Sequence, residues 1–228
     1  MNERGRRGIR FVFYFCGLFL MTLGVAVSVK SGLGVTPISS IPYTITVISG
    51  MDLGLSTFLF SVVAALLQIP VLRSRYRAVS LLQIPVSVVF GFFMTSGGKI
   101  LGLLPDPEGF PVRFLIMLVS TVIVAVGVYL YISAGLIPLP PEGFLLAVSA
   151  VTGIRFSTLK VIGDVAMVLI SLVTCLAVIH RFGSIGIGTV AAALLVGTEV
   201  RIIAKYLGGR TKRLLHPDAA DPDASCQL

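Results

Sequence analysis

Gly32-Leu33-Gly34-Val35-Thr36-Pro37-Ile38-Ser39-Ser40 breaks an apolar run that would otherwise cross a bilayer without interruption. Gly32 and Gly34 free the backbone, Thr36 is a residue type that caps helix starts, and Pro37 suits the first helical position. The stretch therefore predicts a helix that stops and restarts. Lipid tolerates such an opened backbone only where protein or a water-filled cavity covers it. At an offset of 103 residues, Gly135-Leu136-Ile137-Pro138-Leu139-Pro140-Pro141-Glu142-Gly143 repeats the device. Two broken apolar segments at matching places in two halves point to a transporter-type binding site.

Outward from these two breaks, the composition fixes the class. Of 228 residues, 56% are hydrophobic and 12% charged, with a mean hydropathy of +1.00. A water-soluble domain of this length would carry far more polar surface. Apolar runs near the ~20 residues of a helical span recur along the chain, which predicts an all-α polytopic membrane protein. The net charge of +8 does not argue for nucleic acid. The basic residues cluster in short segments beside apolar spans, as orientation signals do, with no basic face interleaved with aromatics. Three cysteines give no disulfide framework. Cys16 and Cys175 sit in apolar runs as packing residues, and Cys226, third from the end, does not form a prenylation box. Arg4, Arg6, Arg7 and Arg10 followed by apolar sequence resemble a secretory signal. The run 11–29 is too long for one and further spans follow it, so it reads as a retained first helix.

Full spans are expected at 11–29, 56–72, 78–103 (kinked at Pro85), 113–133, 157–180 and 185–207. Shorter apolar pieces follow the breaks, at 37–50 and 144–152. The first amounts to only about 21 Å of helix, short of the ~30 Å hydrocarbon core, so it is expected to enter and leave by one face. From residue 209 the chain turns polar and reads as a disordered cytoplasmic tail. The halves 1–103 and 104–208 are related. The 103-residue offset lays Gly24, Val25, Gly32, Leu33 and Pro37 on Gly127, Val128, Gly135, Leu136 and Pro140, Gly50 on Gly153, and Thr95 on Thr198. Three full spans per half place both termini and Arg73, Arg75 and Arg77 inside, with Asp106 and Glu108 outside. Four spans per half would put the arginine-rich loop outside, against the positive-inside rule. The expectation is two inverted repeats of three transmembrane helices, each with a short broken or re-entrant helix.

Gly-Leu-Gly-Val-Thr-Pro at 32–37, Leu82-Gln83-Ile84-Pro85-Val86-Ser87 with Phe90-Gly91, the stretch 138–143, and Gly186-Ile187-Gly188-Thr189 with Gly197 resemble the YczE/YyaS/YitT group of bacterial membrane proteins. The likeness runs from the first span to the last. It implies a small bacterial inner-membrane protein and supplies no substrate. Many members of that group carry an acid after the phenylalanine-glycine part of the third span, where this chain has Thr95 and Ser96.

The candidate chemistry is electrostatic. His180 and His216 have no cysteine or carboxylate at ligand spacing, so no metal or cofactor is expected. Gly186–Thr189 superficially resembles a phosphate loop but lacks its lysine and preceding strand, and reads as small residues for close helix packing. No enzymatic motif is present. Charges at membrane depth cost about 2.5–3.5 kcal/mol each on insertion scales, which makes them candidate function. Lys160 and Asp164 lie one turn apart and can pair on one helix face. They serve either as a proton or substrate relay, with Asp164 titrating, or as a structural lock. Glu142 opens the second short piece, where a carboxylate suits the positive helix end or faces a cavity. Thr36, Ser39 and Ser40 leave the first short piece without an acid in its opening turn, so its backbone N–H groups are expected to face an anion. Glu199 and Arg201 read as interfacial anchors, Gln68 and Gln83 as helix–helix hydrogen-bond partners, and Lys30 and Lys99 as snorkelling cations.

The resulting expectation is an inner-membrane protein with both termini cytoplasmic, acting as a secondary transporter or exporter of a small organic solute. Gly32, Gly34, Thr36, Pro37, Ser39, Pro140 and Glu142 would shape the substrate site, with Asp164 as coupling carboxylate and Lys160 as its counter-charge. Its partners would be the bilayer and that solute. The rival expectation is a non-transporting scaffold or regulator of a partner protein, which needs no continuous polar cavity. A single pocket shared by both breaks separates the two.

Overall fold

A computed structural model describes residues 3–73, 76, 78–181, 183 and 185–215. The readings of Arg75, Arg77, His216, Cys226 and the aspartates of the tail lie outside the described residues. Helices α1 (Glu3–Ser31), α2 (Pro37–Ser49), α3 (Leu53–Leu72), α4 (Gln83–Gly102), α5 (Phe110–Ala134), α6 (Pro140–Thr152), α7 (Phe156–Ile179) and α8 (Ile187–Leu215) follow in order, with a 3-10 turn at Ala78–Leu82 before α4. The described residues contain no strand. Six helices are long and apolar enough to cross a membrane. The other two, α2 and α6, have 13 residues each, about 20 Å of helix, too short for the hydrocarbon core.

Two boundaries depart from the sequence reading. Pro85 does not kink a long helix. The chain tightens into the 3-10 turn first, and α4 begins at Gln83, which puts Pro85 in a first turn where its missing N–H leaves no helical bond unmade. At the other end of the chain, residues 209–215, expected in the polar tail, are helical. Tyr129 Oη donates to Thr211 Oγ1 at 2.7 Å and Leu215 is buried, so tertiary contacts hold a segment that composition alone assigns to solvent.

The core is an antiparallel pair, α1 against α5. Arg10 at the start of α1 donates from Nε and Nη2 to the carbonyls of Ala134 and Gly135, both at 2.9 Å, capping carbonyls that a helix end leaves unpaired. Further along, Gly17 faces Gly127, and Gly24 faces Ser120 and Val124. A Cβ on Gly17 would fall 2.5 Å from the Tyr131 backbone nitrogen, and one on Gly127 would fall 2.5 Å from that of Met21. Small residues here let two backbones approach more closely than any side chain allows, which is how helices associate where lipid removes the hydrophobic drive. At the far end Ser28 Oγ lies against Met117 Sδ at 3.3 Å.

The outer helices lean on this pair. Helix α4 runs beside α1 in the same direction, with Phe19 and Phe93 edge to face at 5.4 Å. Helix α8 runs beside α5 in the same direction, through Thr121 to Glu199 and Tyr129 to Thr211. The short helix α2 packs on α7, and α6 packs on α3, so each short helix is held by a long helix of the other half. The α3–α4 pairing has no counterpart. Helix α3 packs along α4, whereas α7 does not pack along α8. Gly54 and Gly91 stand at the α3–α4 contact, where a Cβ on Gly91 would lie 2.9 Å from the Gly54 carbonyl. Asp52 caps α3 through the N–H groups of Gly54 and Leu55 at 2.8 and 3.3 Å and also accepts from the Thr95 hydroxyl of α4. Thr95, at the place where the resemblance suggested an acid, is thus a donor to one. The offset of 103 puts Ser157 and Leu194 where Gly54 and Gly91 stand, so α7 and α8 lack the glycine pair at which α3 and α4 close.

These contacts place both ends of the described chain at one end of the bundle. Arg10 meets the end of α5, and Thr211 near the end of α8 meets Tyr129 near the same place. At the opposite end Lys30 Nζ donates to Asp106 Oδ1 at 2.6 Å and to the Leu104 carbonyl at 2.7 Å. The hydrogen bond and charge of Lys30 hold the exposed Asp106 carboxyl below its ordinary range. Helix α2 follows α1 at this end, and α6 follows α5 at the arginine-bearing end, where Arg10 lies.

Candidate functional site

Each break has its own backbone accounting, because an orphaned N–H or C=O at this depth costs several kcal/mol. In the first, Gly32 and Gly34 take positive φ values of 66° and 115°. The Ser28 hydroxyl donates to the Gly34 carbonyl at 2.8 Å, the Val35 N–H donates to Thr189 Oγ1 at 3.2 Å, and the Gly188 N–H donates to the Leu33 carbonyl at 2.8 Å. Gly186–Thr189 at the start of α8 is therefore the seat of this break. Its glycines let Leu33 come within the reach of any Cβ.

The second break is held from α1, α3 and α5. Tyr14 Oη donates to the Ile137 carbonyl at 2.7 Å, and Tyr131 Oη accepts from the Leu139 N–H at 2.6 Å while donating to Glu142 Oε2 at 2.9 Å. Gln68 Nε2 donates to the Pro140 carbonyl at 3.2 Å and to Gln83 Oε1 at 2.8 Å. The glutamine pair fits because the neighbour is Gly143, whose Cβ would lie 2.7 Å from Gln83 Nε2.

Between the breaks lies a cavity of about 670 Å³, in the size range of small-molecule sites. Thr36, Pro37 and Ser39 reach it from the first break, and Leu139, Pro141 and Glu142 from the second. Its charged side chains are Glu142, Lys160, Asp164 and Arg201. Lys160 Nζ donates to Asp164 Oδ1 at 2.7 Å, with the two side chains 30% and 27% exposed, as their one-turn spacing on α7 predicts. The rest of the wall is mainly apolar, from Met21 and Val25 of α1, Phe90 of α4 and Val124 and Val128 of α5.

The structure thus brings together Thr36, Pro37, Ser39, Glu142, Lys160 and Asp164. Gly32, Gly34 and Pro140 lie outside the lining. Gly32 turns beside Arg113, Gly34 packs on Gly186 and Thr189, and Pro140 is fully buried under the glutamine pair. They set the backbone course and do not face the cavity. Thr36 occupies the N-cap position with extended backbone, φ −61° and ψ 149°, yet its hydroxyl makes no capping bond and donates instead to Ser39 Oγ at 3.2 Å. The Ser39 N–H goes to the Thr36 carbonyl at 3.0 Å, so the N–H groups expected to meet an anion are partly committed within the chain. Arg201, read as an anchor, lines the cavity. Glu199 does not, and accepts from Thr121 at 3.0 Å. Tyr131 was not singled out. The available signal was a phenol inside a span, which needs a partner when buried.

The family of unknown function DUF6198 matches residues 8–205 of the chain. The uncharacterized membrane protein YczE of Bacillus subtilis (strain 168) is 24% identical over 194 residues, which cover 85% of this chain and 84% of that protein. No solved structure matches.

Proposed function

The chain belongs to the DUF6198 family, and from that premise we propose that this integral membrane protein is a secondary transporter or exporter of a small organic solute. The observation that carries the reading is the single cavity lined by both helix breaks and by Glu142, Lys160, Asp164 and Arg201. Charges inside an apolar bundle are costly and mark substrate or ion paths. Two broken helices converging on one site supply backbone dipoles and polar groups where lipid otherwise forbids them.

We read the halves 1–103 and 104–208 as inverted repeats. In favour are the 103-residue offset, the antiparallel α1–α5 pair, and the exchange of α2 onto α7 and α6 onto α3. Alternating access would be a rocking of one half against the other around the cavity. The positive-inside rule places the arginine-bearing end, with both termini, in the cytoplasm of a bacterial inner membrane. In this reading Asp164 is the coupling carboxylate, Lys160 its counter-charge and Glu142 the substrate-facing acid. The protein carries out no bond chemistry and takes no cofactor.

The test is uptake or efflux in sealed proteoliposomes across a library of small organic solutes, with and without a pH gradient. A gradient-dependent flux is expected, abolished or uncoupled in Asp164→Asn. A folded protein that moves no compound, or an unaffected Asp164→Asn variant, removes the proposal. The scaffold reading predicts that outcome.

A further inference from the structure

The cavity is not closed on all sides. Helices α3 and α4 are sealed against each other by Gly54, Gly91 and the Asp52–Thr95 bond. The matching pair α7 and α8 stands apart. Val161 of α7 and Leu194 of α8 line the cavity and are 63% and 69% exposed. The slot between these helices therefore connects the cavity sideways with the region that acyl chains occupy. A solute taken only from water has no need of an opening onto hydrocarbon.

The distribution of charge along that slot selects the ligand. Helix α7 starts at Phe156, at the arginine-bearing end. Lys160 and Asp164 follow about 6 and 12 Å along the helix, and Arg201 lies on the facing helix. The wall around them includes Phe90, Val25 and Val124, with hydroxyls from Thr36, Ser39, Thr57 and Ser61. Charged groups of both signs thus lie one to two turns from the start of α7, against a wall that is mainly apolar. That is the profile of a leaflet lipid with a zwitterionic head. An ammonium would face Glu142 and Asp164, and a phosphate would face Lys160 and Arg201, each as a charge-assisted contact.

We propose that the cavity admits a zwitterionic amphiphile of the bilayer through the gap between α7 and α8, its head held by Glu142, Lys160, Asp164 and Arg201 and its chain lying against Phe90. This names the substrate class of the transport site and rests on that reading, although occupation of the cavity is measured separately from movement.

The experiment uses the full chain in phosphatidylglycerol nanodiscs containing a minor share of phosphatidylethanolamine with a diazirine on its acyl chain, followed by photolysis and peptide mapping. Labelling is expected at Val161, Leu194 and Phe90, the last 8% exposed, above that at the lipid-facing Phe92, 67% exposed. Unlabelled phosphatidylethanolamine should compete. Glycerophosphoethanolamine, the same head without chains, should not. Glu142→Gln should lower the Phe90 labelling about tenfold, as the loss of one charge-assisted hydrogen bond would. Val161→Trp, which narrows the gap and leaves every charge in place, should lower it as well, and elution volume reports that both variants fold. Three results overturn the proposal: labelling of Phe90 no stronger than of Phe92, indifference to both substitutions, or equal competition by the chainless head, which would make the ligand a soluble zwitterion. Solute flux without lipid labelling sinks this inference alone. Lipid labelling with no flux of any compound leaves it standing and sinks the transport reading.

Discussion

Tyr131 joins two things that the chain keeps apart, the opened backbone at Leu139 and the carboxylate of Glu142. Removing its hydroxyl leaves a buried N–H and an acid short of a donor, and unsatisfied buried groups cost about 1–3 kcal/mol each. Tyr131→Phe is therefore expected to lower the thermal midpoint of the purified protein in detergent by several degrees, and an unchanged midpoint would show that the phenol is dispensable. The reach of sequence reasoning is visible in these side chains. Lys160 and Asp164 are legible because a helix fixes which residues four apart share a face. The Tyr131 contact runs through a break whose turn has no period to extrapolate. Arg201 was read by its place near a helix end, which says nothing about the direction its side chain takes.

At the scale of elements, glycine and proline made the breaks readable. Pro37 and Pro140 both stand first in 13-residue helices, and both helices end on left-handed glycines, Gly50 and Gly153. The absence of a cap from Thr36 was not readable, because its hydroxyl turns to Ser39 Oγ instead. Nor was the length of α8, which depends on Tyr129 reaching Thr211 from another helix. The α3–α4 seal gives a prediction of its own. Gly54→Leu would drive a side chain into Gly91 and Thr95, and overpacking of this kind costs about 1–3 kcal/mol or more. The matching change on α7, Ser157→Leu, meets no packed neighbour helix and is expected to leave stability nearly unchanged. Gly50→Ala has nothing within 4 Å of the new Cβ and should cost only the left-handed backbone term, about 1–2 kcal/mol. Thermal melts of the three variants rank them, and an equal loss in Gly54→Leu and Ser157→Leu would contradict the asymmetric seal.

For the molecule as a whole, the number of crossing helices and the grouping of basic residues at one end follow from apolar run length and charge placement. The slot between α7 and α8 does not, because the offset that relates the halves hides a pairing in which they differ. The arrangement of ends is directly measurable. In a cysteine-free background, Arg73→Cys and Glu108→Cys should react with an impermeant reagent from opposite faces of oriented vesicles. Labelling of both from one face would require a different path for the chain.

The exchange of short helices between halves governs how the polypeptide must be made. When synthesis has reached only the end of α4, the membrane holds an α1 whose Gly17 and Gly24, packed on the backbone of α5 in the finished protein, still lack that neighbour, and an α2 that still awaits α7. The opened backbone of the first break is also incomplete, because the Val35 N–H and the Leu33 carbonyl wait for Thr189 and Gly188 of α8. The early helices must therefore linger beside the insertion machinery until the later ones emerge, and the protein matures late and all at once.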